Sequence, residues 1–140
     1  MRAISYQRGG AAAPFDSIEL DAQARHLRRK LITSRQGTEV LVDFEKPVAL
    51  RHGDCLVLED GRLVEVIAAR EELMEVTGGK LLQLAWHIGN RHLEAQIETS
   101  RILIRRDHVI AHMLEHQGAR VRDVTETFTP EHGAYHDHSH

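Results

Sequence analysis

The chain is short of thiols, of aromatic rings and of long apolar runs, and each shortage closes a class of explanation. A single cysteine, Cys55, cannot form an intramolecular disulfide. Apolar stretches such as Val48-Ala49-Leu50 and Leu56-Val57-Leu58 fall far below the roughly 20 residues needed to span a bilayer, so no membrane helix is expected. Lys and Arg number 18 against 21 Asp and Glu, which leaves no positive surplus for coating nucleic acid or anionic lipid. Nucleophile elbow, P-loop, dinucleotide fingerprint and His-Glu-x-x-His are all missing, so catalysis is not expected. Met1 to Gly10 has no apolar core of a signal peptide, and the reading is a cytoplasmic protein.

What is abundant is histidine. There are eleven, nine of them between His87 and His140. Imidazole is the commonest protein metal ligand and suits Ni, Cu and Zn, so the bias points to metal in the C-terminal part. Apolar residues at 41% and charged residues at 28% lie near the globular norm, and a folded core is expected.

From Arg28 to about Ile67 the chain reads as short strands. Leu27–Thr33 and Glu39–Phe44 flank the turn-like Arg35-Gln36-Gly37-Thr38. Cys55–Glu59 and Arg62–Ile67 flank Asp60-Gly61, a two-residue hairpin signal that pairs Leu58 with Leu63 and Val57 with Val64. Both faces are then largely apolar, which predicts a sheet covered on both sides, a small sandwich or barrel.

Past the junction Ala68–Glu72 the pattern becomes strand and helix in alternation. Leu73–Thr77 is a strand closed by Gly78-Gly79. Leu81, Leu84, Ala85 and Ile88 form one helical stripe, stopped by Gly89 in a left-handed conformation. Leu93–Glu98 and Arg101–Arg105 turn at Thr99-Ser100. Asp107 caps a second helix with Val109, Ile110, Met113 and Leu114 inside and Gly118 at its end, before a last strand through Val121–Val124. The fold class is α+β: an all-β N-terminal domain (1–70), a ferredoxin-like β-α-β-β-α-β domain (71–130) and a short His-rich tail (131–140).

His108, His112 and His116 recur every four residues on the second helix and span about 80° of its circumference. They border the apolar stripe, where they either chelate an ion or merely occupy a solvated flank. The positive end of the helix dipole disfavours imidazolium at His108, while adjacent Asp107 opposes that effect through its charge or orients the ring. His132, His136, His138 and His140 belong to the tail, where ordering costs roughly 1–2 kcal/mol per residue and weakens any site. His87 and His92 read as capping or packing residues, Cys55 as buried packing, and His26 and His52 carry no pattern.

Three stretches resemble the urease accessory protein UreE family of nickel metallochaperones: Trp86-His87-Ile88-Gly89-Asn90-Arg91-His92, Asp107-His108-Val109-Ile110 followed by Met113-Leu114, and Phe128-x-Pro130-Glu131-x-Gly133-Ala134-Tyr135. The resemblance covers nearly the whole chain. It implies a peptide-binding-like N-terminal domain and a homodimer in which His108 meets its symmetry mate on one Ni(II), with tail residues His136, His138 and His140 filling further positions. The implied partners are the maturation GTPase UreG and, through it, the urease apoprotein complex. His112 and His116 stand where the family pattern does not require histidine, which adds them as candidate ligands, and Zn(II) or Cu(II) is expected to substitute at imidazole sites. Two other classes remain: a general Zn/Cu/Ni buffer without a client, and a small RNA-binding module using Arg28, Arg29, Lys30 and Arg35. The second domain's strands lack interleaved aromatics to stack on bases, so nucleic-acid binding is not expected.

Overall fold

The computed structural model describes residues 1–10 and 13–131 and divides into units Met1–Ala69 and Arg70–His140. In the first unit β1 (Arg2–Gln7), β2 (Asp16–Leu20), β3 (His26–Thr33), β4 (Glu39–Ala49), β5 (Cys55–Leu58) and β6 (Leu63–Ala68) make one sheet in the order β2-β6-β5-β1-β4-β3. The β3–β4 and β5–β6 hairpins expected from the sequence are present as antiparallel pairs. The second is displaced by one residue, since Val57 faces Leu63 and Leu56 faces Val64. Glu59 joins Asp60 and Gly61 in the loop, with Gly61 at φ 87° supplying a left-handed turn.

A one-residue shift exchanges the faces of a strand, and it corrects the expectation of two covered faces. Leu56, Leu58, Val64 and Val66 are all buried, whereas Val57, Leu63 and Glu65 are only half-buried. The core draws Ala3, Ile18, Ile32, Val42, Leu56 and Val64 from the six strands in turn, so a single sheet curls round its own interior. The sheet edges meet where Arg35 N–H donates to the Ser17 carbonyl and the Ser34 hydroxyl donates to the buried Asp16 carboxylate. Strands β1 and β2 lie outside those expected; β1 pairs in parallel with β4 and antiparallel with β5, partners far along the chain.

The second unit runs β7 (Arg70–Thr77), α1 (Leu81–Asn90), β8 (Gln96–Ile97), β9 (Ile102–Arg105), α2 (His108–His116), β10 (Arg120–Thr127). Its sheet order is β10-β7-β9-β8, and every pair is antiparallel. Met74 faces Ile104 and Val76 faces Ile102, and these four cluster with Leu84 and Ile88 of α1 and Leu114 of α2. Both helices therefore cover the same sheet face. The sequence placed the left-handed helix stop at Gly89; the helix instead continues through Gly89, and His92 takes the left-handed backbone at φ 59°. β8 occupies only Gln96–Ile97, in the second half of the expected Leu93–Glu98 strand.

The opposite sheet face is held by charge. Arg101 reaches Glu75, Glu98 and Glu126 at 3.0, 3.1 and 2.8 Å, and Arg122 joins Glu75 at 3.0 Å. After β10 the chain crosses this face. Phe128 is fully buried with the Arg105 guanidinium 5.0 Å from its ring centroid, Thr129 N–H donates to the Gln96 side-chain carbonyl at 2.8 Å, and Glu131 N–H donates to the Ala95 carbonyl at 2.8 Å.

Hydrogen bonds from Arg101 hold the Glu75 and Glu126 carboxyls below the usual carboxylate range, against a smaller opposing effect of desolvation. A pKa depressed on folding adds stability that is fully present above the unfolded value, about 4.3, and is lost as pH falls through the folded value. Arg101→Met is expected to destabilise the protein by about 1–2 kcal/mol at pH 7 and progressively less below pH 4. Urea denaturation across that range measures the difference, and a loss independent of pH would assign Arg101 to packing alone.

Candidate metal centre

Helix α2 starts from a residue held on both sides. Asp107 has extended backbone, and its carboxylate accepts from the N–H groups of Val109 and Ile110 at 2.9 and 3.2 Å, as an N-cap residue should. The preceding Arg106 donates to the Leu73 carbonyl at 3.1 Å and to the Val124 carbonyl at 3.1 Å, which ties the β9–α2 junction to β7 and β10. His108 is thereby the first residue of a fixed helix, with its ring exposed. The Asp107 carboxylate, left open by the sequence as a partner for that ring, is engaged with the helix backbone.

A cavity of about 230 Å³ lies beside His108, lined by Met74, Arg106, Asp107, Ala111, Glu115, Val121 and Asp123 in addition to His108 itself. Three carboxylates and one guanidinium share its wall, a setting that favours cations around the imidazole. His112 and His116 are also exposed on α2. Val109, expected inside, is 63% exposed; the buried side centres on Leu114, with Ile110, Ala111 and Met113 packed beside it. Ala111 replaces Val109 at the margin of that side, so Val109 stands outward with the histidines.

Helix α1 shows a matching departure that the sequence reading missed. Leu82 and Trp86, one helical turn apart, are 86% and 64% exposed, on the side away from buried Leu84 and Ile88. Their spacing was a readable signal, because an apolar pair at i and i+4 opposite the core stripe needs another surface to cover it. Leu82, Trp86 and Val109 thus stand on the helical layer that carries His108, His112 and His116.

Among the described residues, no group of three or more His, Cys, Asp or Glu side chains is arranged to hold a metal ion. The three α2 histidines share a flank without closing a three-ligand site. His132, His136, His138 and His140 lie outside the described residues. His87 is half-buried, its ring edge-on to Trp86 at 5.0 Å, and Nδ1 of His52 accepts the Ala68 N–H at 3.1 Å. Cys55 is fully buried; desolvation, reinforced by Glu65 and Asp54, pushes its thiol up and away from a thiolate ligand.

Residues 2–69 match the family described as UreE urease accessory protein, N-terminal domain, and residues 71–140 match its C-terminal domain. The chain is 57% identical over 127 residues to urease accessory protein UreE 1 of Brucella suis biovar 1 (strain 1330), covering 89% of this chain and 78% of that protein. It is 51% identical over 142 aligned positions to urease accessory protein UreE of Rhizobium rhizogenes (strain K84 / ATCC BAA-868), covering 98% and 85%. Against urease accessory protein UreE of Chelativorans sp. (strain BNC1) the identity is 57% over 129 residues, covering 90% and 82%. Matched in order by both domains of one family and at half identity or better along most of its length, the chain belongs to the UreE urease accessory proteins, a family of accessory factors and not of enzymes.

Proposed function

We propose that the chain is a nickel metallochaperone for urease maturation, carrying Ni(II) as cargo between the His108 imidazoles of two copies in a homodimer. The observation that carries this reading is the exposed ring of His108 on the first turn of a capped helix, in a helical layer that also presents Leu82, Trp86 and Val109 to solvent. A two-fold interface presents every residue twice, so one imidazole per chain becomes two ligands. The apolar side chains supply the surface that such an interface buries.

Two imidazoles leave coordination positions open. His136, His138 and His140 of the tail are the proposed further ligands, and His112 and His116 extend the histidine flank from which ions are captured. Zn(II) or Cu(II) suits the same donors, so selectivity rests on supply and on the client. In this reading residues 71–130 form a ferredoxin-like metal-binding domain followed by the 131–140 tail, and residues 1–70 form a peptide-binding-like domain. Its partners are UreG and the urease apoprotein complex. No described helix is long and apolar enough to cross a membrane, and the proposal places the transfer in the cytoplasm. Since proton and metal compete for the same nitrogen, affinity for Ni(II) falls as the solution is acidified.

His108→Ala is expected to abolish the tightest Ni(II) site in isothermal titration, while truncation after Tyr135 removes only weaker sites. An unchanged tight site in His108→Ala overturns the reading. Val109→Asp is expected to weaken the dimer at least tenfold in sedimentation equilibrium, as the loss of an apolar anchor at the centre of an interface does, while its circular dichroism matches the wild type. Asp107→Ala is expected to cost about 1 kcal/mol of stability and to weaken nickel binding while leaving His108 in place; unchanged affinity would separate the cap from the site.

A further inference from the structure

Resting on the nickel reading above, we infer that Arg106 is a specificity-determining residue: its fixed guanidinium balances the carboxylate of Asp123 beside His108, so that an arriving ion meets imidazole and not carboxylate. Strand register places the parts. Met74 packs with the helices, and alternation puts Glu72 on that same face of β7. Across the ladder Asp123 pairs with Met74 and Thr125 with Glu72, so these β10 side chains also stand on the helical face. They lie at the end of the sheet where β9 passes into α2, since Leu73 pairs with Arg105, the last residue of β9.

Arg106 sits among these side chains. Its Nε donates to the Leu73 carbonyl and its Nη2 to the Val124 carbonyl, both at 3.1 Å, and Nη2 also donates to Thr125 Oγ1 at 3.4 Å. Carbonyl and hydroxyl oxygens are uncharged, so these bonds fix the guanidinium without neutralising it. Its charge is left to Glu72 at 3.7 Å and Asp123 at 3.9 Å. Both pairs are long because the backbone of two strands sets the position of the cation and the carboxylates gather round it.

Of the acids on the cavity wall, Asp123 is the one placed to reach an ion at His108. It lines the same cavity, and its side chain is mostly exposed. Asp107 is committed to the Val109 and Ile110 amides. Glu115 stands two turns along α2 from His108, roughly 10 Å of helix rise. The distinction matters through ligand type, because imidazole suits Ni, Cu and Zn whereas carboxylate oxygen suits Mg, Ca and Mn. A two-fold site presents each residue twice. An unbalanced Asp123 therefore adds two oxygen donors to the two imidazoles and opens the site to harder cations. With Arg106 in place, the carboxylate is drawn towards the guanidinium and contributes little net charge at the ion.

The test measures Mn(II) and Ni(II) affinity in the full-length chain for wild type, Arg106→Gln, Asp123→Asn and the double variant. Loss of the free-ion Mn(II) signal in electron paramagnetic resonance reports the first affinity, and isothermal titration the second. Arg106→Gln is expected to raise Mn(II) affinity about tenfold while Ni(II) affinity changes by less than about threefold. The double variant, which has no carboxylate to release, is expected to return the Mn(II)-to-Ni(II) ratio to that of wild type. An equal gain for both ions is a general field effect and overturns the inference, as does a raised ratio that persists in the double variant. A fall for both ions, with faster amide exchange at Val109 and Ile110, assigns Arg106 to anchoring the helix alone and also overturns it. Asp123→Asn, at an exposed position, keeps the proposal open to failure even if Arg106→Gln does not fold. Its ratio is expected to match wild type, and a selective loss of Mn(II) would mean that the carboxylate already reaches the ion. Loss of the tight Ni(II) site in His108→Ala with an unmoved ratio in Arg106→Gln rejects the specificity role alone, whereas retention of that site rejects the nickel reading beneath it.

Discussion

The two hydrogen bonds from the Val109 and Ile110 amides to the Asp107 carboxylate fix where His108 can stand. They satisfy two of the four amides that every helix start leaves without an internal partner, and they end the extended chain of β9 within two residues. Arg106, clamped on the carbonyls of Leu73 and Val124, prevents that short connection from swinging. An imidazole on the first residue of such a helix has its backbone set by the sheet and only its side-chain torsions free. That is a suitable mount for a ligand that has to match a copy of itself, since a symmetric pair doubles any error in the position of one member.

The charge distribution follows the same division of labour. Residues 1–69 hold ten basic and ten acidic side chains, whereas residues 70–140 hold eight and eleven. The whole negative excess of the chain therefore belongs to the half that carries nine of its eleven histidines. Much of this acid is neutralised on the helix-free face, where Glu75, Glu98 and Glu126 converge on Arg101. Beside the His108 cavity Asp123 forms a long pair with Arg106 at 3.9 Å, and Glu115 on its wall acts on the approach of a cation. A negative field of this kind raises the encounter rate of a divalent ion without adding a ligand, and it weakens with salt.

What could be read from the sequence was what is local. The Asp107 cap, the Gly118 helix end, at φ 90°, and the β3–β4 hairpin depend on residues a few positions apart, and each stands where the pattern put it. β1 was hidden because its partners, β4 and β5, lie far along the chain and Arg2–Gln7 has little apolar alternation of its own. The β5–β6 register slipped because Asp60-Gly61 is a strong two-residue signal that gives no weight to Glu59. Val109 was assigned inward by hydrophobicity, while packing chose the smaller Ala111 in its stead. That last error has a physical source: a helix wheel ranks residues by polarity and cannot distinguish a side chain covered by its own domain from one waiting for another surface.

The same limit applies to the C-terminal segment, where composition conceals the anchor. Histidine richness draws attention to the residues after Glu131, yet the described end of the chain is held by Phe128, Thr129 and Glu131 and by their partners Arg105, Gln96 and Ala95. Burial of Phe128 against Arg105 gives the crossing an apolar and a cation–π component, and two backbone amides orient it. The sequence signal for this anchor is a single aromatic after a strand, and its meaning depends on Arg105 and Gln96, far back along the chain, which no local pattern connects to it.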